Sequence, residues 1–139
     1  MPKGPSSQEL ADRVCGIARE LVQMANDWRV RHVFAEGYTF GAFGASHYQL
    51  AELGGAVLFA FAQRGILVRR INVSTARKYL LGKVPKKNPK PIVCATLKRA
   101  GLTLATDDEY DAFVVANAGL GVCLGRVGVV CSTGDDGAA

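Results

Sequence analysis

Glu36 and the run Asp107-Asp108-Glu109-Tyr110-Asp111 are the residues whose types and spacing could do chemistry. Glu36 closes an apolar stretch, Arg31-His32-Val33-Phe34-Ala35, that reads as a buried strand. A carboxylate at that point projects from the C-terminal edge of a sheet, where open α/β sheets place their sites. Asp108 and Asp111 stand three apart in what reads as the first turn of a helix, so they face the same way. Hard oxygen donors of this kind suit Mg²⁺ or Mn²⁺, which bind few carboxylates and keep waters for a phosphate substrate. The acids at 107 and 108 also have a plainer reading, as helix caps and partners of the helix dipole. Glu36 has one as the partner of a nearby cation.

The charge distribution says what such a centre would face. Between Leu53 and Thr106 there is no Asp or Glu, while Arg64, Arg69, Arg70, Arg77, Lys78, Lys83, Lys86, Lys87, Lys90, Lys98 and Arg99 all fall there. A basic span beside a tight acidic cluster suggests a polyanion held over a metal-binding or acid–base centre. A solvated basic face without a ligand would leave the same pattern.

The remaining elements have to position these groups. Ser6 or Ser7 can cap a first helix, on which Leu10, Val14, Ile17, Leu21 and Met24 recur as one apolar stripe ending at Asn26-Asp27. After the Glu36 strand, Gly37 to Gly44 is a glycine- and aromatic-rich loop. A second helix is expected over Ser46 to Gln63, with Leu50, Leu53, Val57 and Phe61 on one face. Gly54-Gly55 within it costs about 1 kcal/mol per glycine and suggests close approach of another backbone. Ile66 to Val73 reads as a second strand, and Ser74 or Thr75 as the cap of a short helix to Leu81. The segment from Gly82 to Pro91 holds Pro85, Pro89 and Pro91 and is a basic loop, with Pro91 suited to the start of a further helix. A last helix, capped by Thr106 or Asp107, is expected over Asp108 to Ala118. Residues 1–119 read as a single domain and 120–139 as a glycine-rich tail with a possible strand near Val127 to Cys131.

At 139 residues, with 49% apolar and 21% charged residues and a net charge of +5, the chain fits a globular domain and not a disordered one. No apolar stretch is long enough to cross a bilayer, and Met1 to Pro5 does not read as a secretory signal. Cys15, Cys94, Cys123 and Cys131 lack metal-ligand spacing and are expected as free thiols in a cytoplasmic protein, or in a host cytoplasm if phage-encoded.

The order of these pieces resembles the RuvC-type Holliday junction resolvases, in particular their phage-type relatives in the ribonuclease H-like superfamily. Val33 to Gly41 looks like that family's second acidic strand, and Gln49 to Gly55 like the helix after it. Thr75 to Lys83, with Lys87 to Lys90, is similar to its basic segment and lysine-bearing helix start. Asp107 to Phe113 matches its terminal aspartate, two residues, aspartate-alanine helix. The resemblance implies an α/β fold with a ribonuclease H-like sheet flanked by helices. It implies a homodimeric endonuclease that cuts branched DNA at four-way junctions by two-metal hydrolysis, in recombination and repair. Glu36, Asp108 and Asp111 would then be catalytic ligands of Mg²⁺ or Mn²⁺, with Lys90 as a further catalytic residue. Arg77, Lys78, Lys83, Lys86, Lys87 and Lys90 would contact DNA phosphates. Tyr38 and Phe40 would stack on bases, where loop packing is their alternative.

One departure matters. The family opens with a strand carrying an aspartate and two further strands, whereas here the first long helix starts at about Ser7. The expectation is either a reading frame entered late or an inactive DNA-binding module derived from that family. Either way the chain as written is expected to cut junctions poorly or not at all. Asp135-Asp136 read as part of the tail and not as substitutes for the absent aspartate.

Overall fold

The computed structural model describes residues 4–37 and 45–126, with the side chains of 45–47 left aside. In chain order the elements are α1 (Ser7–Asp27), β1 (Val33–Glu36), α2 (Ala45–Ala62), β2 (Val68–Ile71), α3 (Val73–Leu81), α4 (Lys90–Arg99) and α5 (Asp107–Cys123). β1 and β2 pair in parallel as a two-stranded sheet. The expected α/β class holds, with few strands among the described residues. Tyr38, Phe40, the possible strand near Val127 and Asp135-Asp136 lie outside those residues. No helix among them is long and apolar enough to cross a membrane, and Cys15, Cys94 and Cys123 are free.

The chain divides into two compact units. The first holds α1 and α2, which pack on each other. Ser6 caps α1 in a reciprocal box: the Glu9 amide donates to Ser6 Oγ at 3.2 Å, and the Ser6 amide donates to Glu9 Oε2 at 2.6 Å. The buried line on α1 is Ala18, Val22 and Ala25, while Leu21 and Met24 are exposed. Leu10, Val14 and Ile17 of the expected stripe are half-buried, so only its last two members, Leu21 and Met24, leave the inner face. Small residues admit a neighbouring helix closely, so they can win the inner face from larger ones. On α2, Phe61 is buried but Leu50 is 63% exposed. At Gly55 an added Cβ would meet no atom within 4 Å, so the close approach expected of that glycine does not occur.

The second unit is built around α5. Its core comprises Ile71, Ala76, Val93, Leu97, Tyr110, Val114, Val115 and Ala118, with α3 and α4 packed on α5. Tyr110 is fully enclosed, and its hydroxyl accepts from the Leu104 amide (3.0 Å) and donates to the Leu102 carbonyl (3.2 Å). That satisfies the one polar atom a buried tyrosine carries. The close approach in this unit is at Gly119, where any Cβ would run into the Phe34 ring. Arg69 lies over the same ring, 4.7 Å from its centroid.

Helix starts follow their caps. α3 begins at Val73 because Asn72, and not Ser74 or Thr75, supplies the cap: its Oδ1 accepts from the Ser74 amide at 2.9 Å. Asparagine leads the cap ranking, and one residue upstream it takes the place first. α4 starts at Lys90 with Pro91 in its first turn, close to the expected position. Thr106 caps α5 in a second reciprocal box with Glu109. α5 continues to Cys123, beyond the Ala118 end expected from the sequence, because Gly119 and Gly121 are tolerated where they are buried against neighbours.

Candidate functional site

Two elements bring the acids together. β1 delivers Glu36 at its last residue, and the Arg70 guanidinium donates to the Glu36 carbonyl oxygen at 3.4 Å. The Thr106–Glu109 box fixes the first turn of α5 and so the positions of Asp107, Asp108 and Asp111. Glu36, Asp108 and Asp111 line one pocket of about 220 Å³, walled by Phe34, Ala35, Ala112 and Val115. Glu36 and the two aspartates thus border the same pocket.

The acids differ in their surroundings. Asp111 is only 6% exposed and meets Arg77, itself 7% exposed. Arg77 Nε and Nη2 donate to Asp111 Oδ1 at 3.1 and 2.9 Å, and Nη2 donates to Oδ2 at 2.7 Å. Planar, bidentate geometry of this kind is what guanidinium and carboxylate favour. Asp107 and Asp108 share the Lys90 ammonium, at 3.2 and 3.0 Å, in an exposed setting. Those hydrogen bonds, Asp108 first, hold the Lys90 ammonium above its ordinary range, and the same contact lowers the Asp107 carboxyl.

Glu36 is pushed above the ordinary carboxylate range. Desolvation of its carboxyl against the pocket wall is the main cause, and the Asp111 charge adds to it, while Arg77 and Lys90 oppose. Folding therefore favours the protonated acid, so stability falls as pH rises through the range where Glu36 ionises. Glu36→Gln is expected to raise the melting temperature at pH 7–8 by at most a few degrees. The gain should vanish near pH 3, where both states are protonated; an equal gain at both pH values would show that ionisation of Glu36 is not the cause.

The other residues singled out by sequence fall in distinct places. Arg77, expected among the phosphate contacts, is buried and occupied by Asp111. Lys78 and Lys86 line a separate pocket. Lys83 and Lys87 are exposed and have no ion-pair partner among the described residues. Lys90 is held by the acids it was expected to work beside. The Arg77–Asp111 pair was not anticipated, and it is burial in the fold that explains it. Asp111 shares a helix face with Val114, Val115 and Ala118, and Arg77 follows the fully buried Ala76. Opposite charges on two inward faces must meet, because neither can be left alone in the core.

The donor set is right in kind for a divalent ion, being all carboxylate oxygen, but its arrangement is not that of a two-ion centre. Arg77 occupies both oxygens of Asp111, and Lys90 occupies Asp108. Among the described residues no three His, Cys, Asp or Glu gather closely enough to hold a metal ion. As arranged, Asp107, Asp108 and Asp111 are paired with the chain's own cations, while Glu36 has no ion-pair partner among the described residues.

No family model and no curated protein matches the chain. A solved structure of Thermus thermophilus RuvC is similar to it, with 22% identity, 89% of this chain and 76% of that one covered, and a TM-score of 0.62. The likeness shows the fold: a ribonuclease H-like α/β arrangement of the RuvC kind.

Proposed function

We propose that this chain is a resolvase-like protein that acts on branched DNA, gripping four-way junctions through their phosphates and turning the pocket of Glu36, Asp108 and Asp111 toward a phosphodiester. The observation that carries this reading is the meeting of a strand-end glutamate with two aspartates of a helix start, on a RuvC-like fold. The span from Leu53 to Thr106, free of acids, supports it by offering a surface for a polyanion. In the enzyme reading the chain is a structure-specific endodeoxyribonuclease dependent on Mg²⁺ or Mn²⁺, serving recombination and repair. A homodimer suits the two-fold symmetry of a four-way junction, and Leu50, Leu58 and Phe59 on α2 offer exposed apolar surface for one.

A second reading, a module that binds junctions without cutting them, is favoured by one observation. The cations that pair with Asp108 and Asp111 stand where ions would have to be held.

One assay addresses both, using a labelled synthetic junction and a linear duplex of the same sequence in Mg²⁺ or Mn²⁺. The chain is expected to bind the junction and to cut it poorly or not at all. Strong cleavage that is abolished by Glu36→Gln would establish the enzyme reading. Reversal of Lys83 and Lys87 to glutamate should weaken binding and reduce its dependence on salt, by a slope of about 0.9 for each lost phosphate contact. Lys90 is spared in that variant, since a glutamate beside Asp107 and Asp108 would disturb the start of α5. Unchanged affinity and salt slope would remove the DNA-binding claim.

A further inference from the structure

The pocket between α3 and the loop before α4 is not explained by the carboxylates. It encloses about 210 Å³ and is lined by Ser74, Arg77, Lys78, Lys86 and the two prolines Pro85 and Pro89, among others. No acid lines it. The Arg77 charge is already balanced by Asp111, so the field in this pocket comes from Lys78 and Lys86. Both are exposed, and neither has an ion-pair partner among the described residues.

Ser74 adds a hydroxyl. Its amide is taken by Asn72, which leaves the side chain as the group it can offer. Pro85 and Pro89, each with its own φ restricted by its ring, flank Lys86 in the lining. Two ammonium groups and a hydroxyl around a cavity of this size are the chemistry of a phosphate seat.

We propose that this pocket seats a single phosphate of the DNA backbone, next to and distinct from the phosphodiester presented to Glu36. It rests on the DNA-binding reading above and adds to it a fixed register. Arg77 lines the seat and is paired with Asp111, which lines the carboxylate pocket. One side chain thus separates the two sites, and a strand anchored in the first is positioned at the second.

The test uses the full chain and a four-way junction in which single phosphates near the crossover are replaced by neutral methylphosphonates. Binding is followed by fluorescence anisotropy across a salt series. For the unmodified protein, one internal replacement should weaken binding about tenfold, the worth of a charge-assisted contact. Lys78→Gln with Lys86→Gln should bind more weakly, lose about 0.9 from the salt slope, and become indifferent to that replacement. The Lys83→Gln, Lys87→Gln control should keep its sensitivity. Ser74→Ala should show a smaller loss at the same position. If the Lys78/Lys86 variant remains as sensitive as the unmodified protein at every position, the seat is overturned. If the effect disappears on removing the terminal phosphates of the arms, the pocket takes chain ends and the backbone assignment is overturned. Should the protein bind no junction at all, the DNA reading and the backbone assignment fail together, and what remains is whether the pocket takes phosphate at all. The seat is then tested with inorganic phosphate: a shift of the Ser74 amide resonance, lost in Lys78→Gln/Lys86→Gln, would uphold a phosphate seat, and no shift would overturn it.

Discussion

Arg77→Met is expected to lower the stability of the chain by about 3–5 kcal/mol, the usual consequence of removing one partner from a buried ion pair. Asp111 is 6% exposed and accepts three hydrogen bonds from Arg77. Without the guanidinium its charge would stay in the core beside Val114 and Val115, with nothing to offset its lost hydration. Denaturant unfolding would give the number directly. The double variant Arg77→Met, Asp111→Leu should recover most of the loss, since apolar replacements of a buried pair are often neutral or better. A single-variant loss below about 1 kcal/mol would match an exposed pair and contradict burial of Arg77 with Asp111.

The second large effect concerns Gly119. Alanine is the better helix former by about 1 kcal/mol, yet Gly119→Ala is expected to destabilise by about 1–3 kcal/mol, the cost of overpacking a filled core. The added methyl would occupy the space of the Phe34 ring. That ring also carries Arg69 on its face and cannot move without disturbing it. Gly16 in the middle of α1 is the internal comparison: a Cβ there meets nothing within 4 Å. Gly16→Ala should follow propensity and stabilise by up to about 1 kcal/mol. Thermal unfolding of the two variants should therefore shift in opposite directions, and shifts of the same sign would show that packing at Gly119 does not decide the outcome.

What could be read from the sequence was local. A cap at Ser6 or Ser7 and another at Thr106 or Asp107 were expected; Ser6 and Thr106 supply them, each with a glutamate partner within one turn. The Glu36 strand and the proline-marked start of α4 were legible for the same reason. The i, i+3 spacing of Asp108 and Asp111 predicted their shared direction, and they do share a pocket. What was not legible depends on distant neighbours. Arg77 and Asp111 are separated by 34 positions, and no local pattern states that α3 and α5 pack face to face. The inner face of α1 was legible in part: Leu10, Val14 and Ile17 are half-buried and line a pocket with Leu50 and Leu53, but Ala18 and Ala25 carry little apolar weight in a stripe and were passed over. Gly119 was unreadable in kind: a glycine needed for a ring opposite looks like any other until the ring is placed.

The pairing of Arg77 with Asp111 also limits how this sequence can drift. A protein with a margin of roughly 5–15 kcal/mol cannot spend 3–5 of it on one step without approaching the threshold below which it fails to fold. Positions 77 and 111 are therefore tied: a change at either is costly alone and cheap once the other has followed. A lineage that freed Asp111 to hold an ion would have to surrender the arginine and gain the ion together. One that made both positions apolar would keep the fold while closing that route, so α3 and α5 can outlast the chemistry their charges once suited.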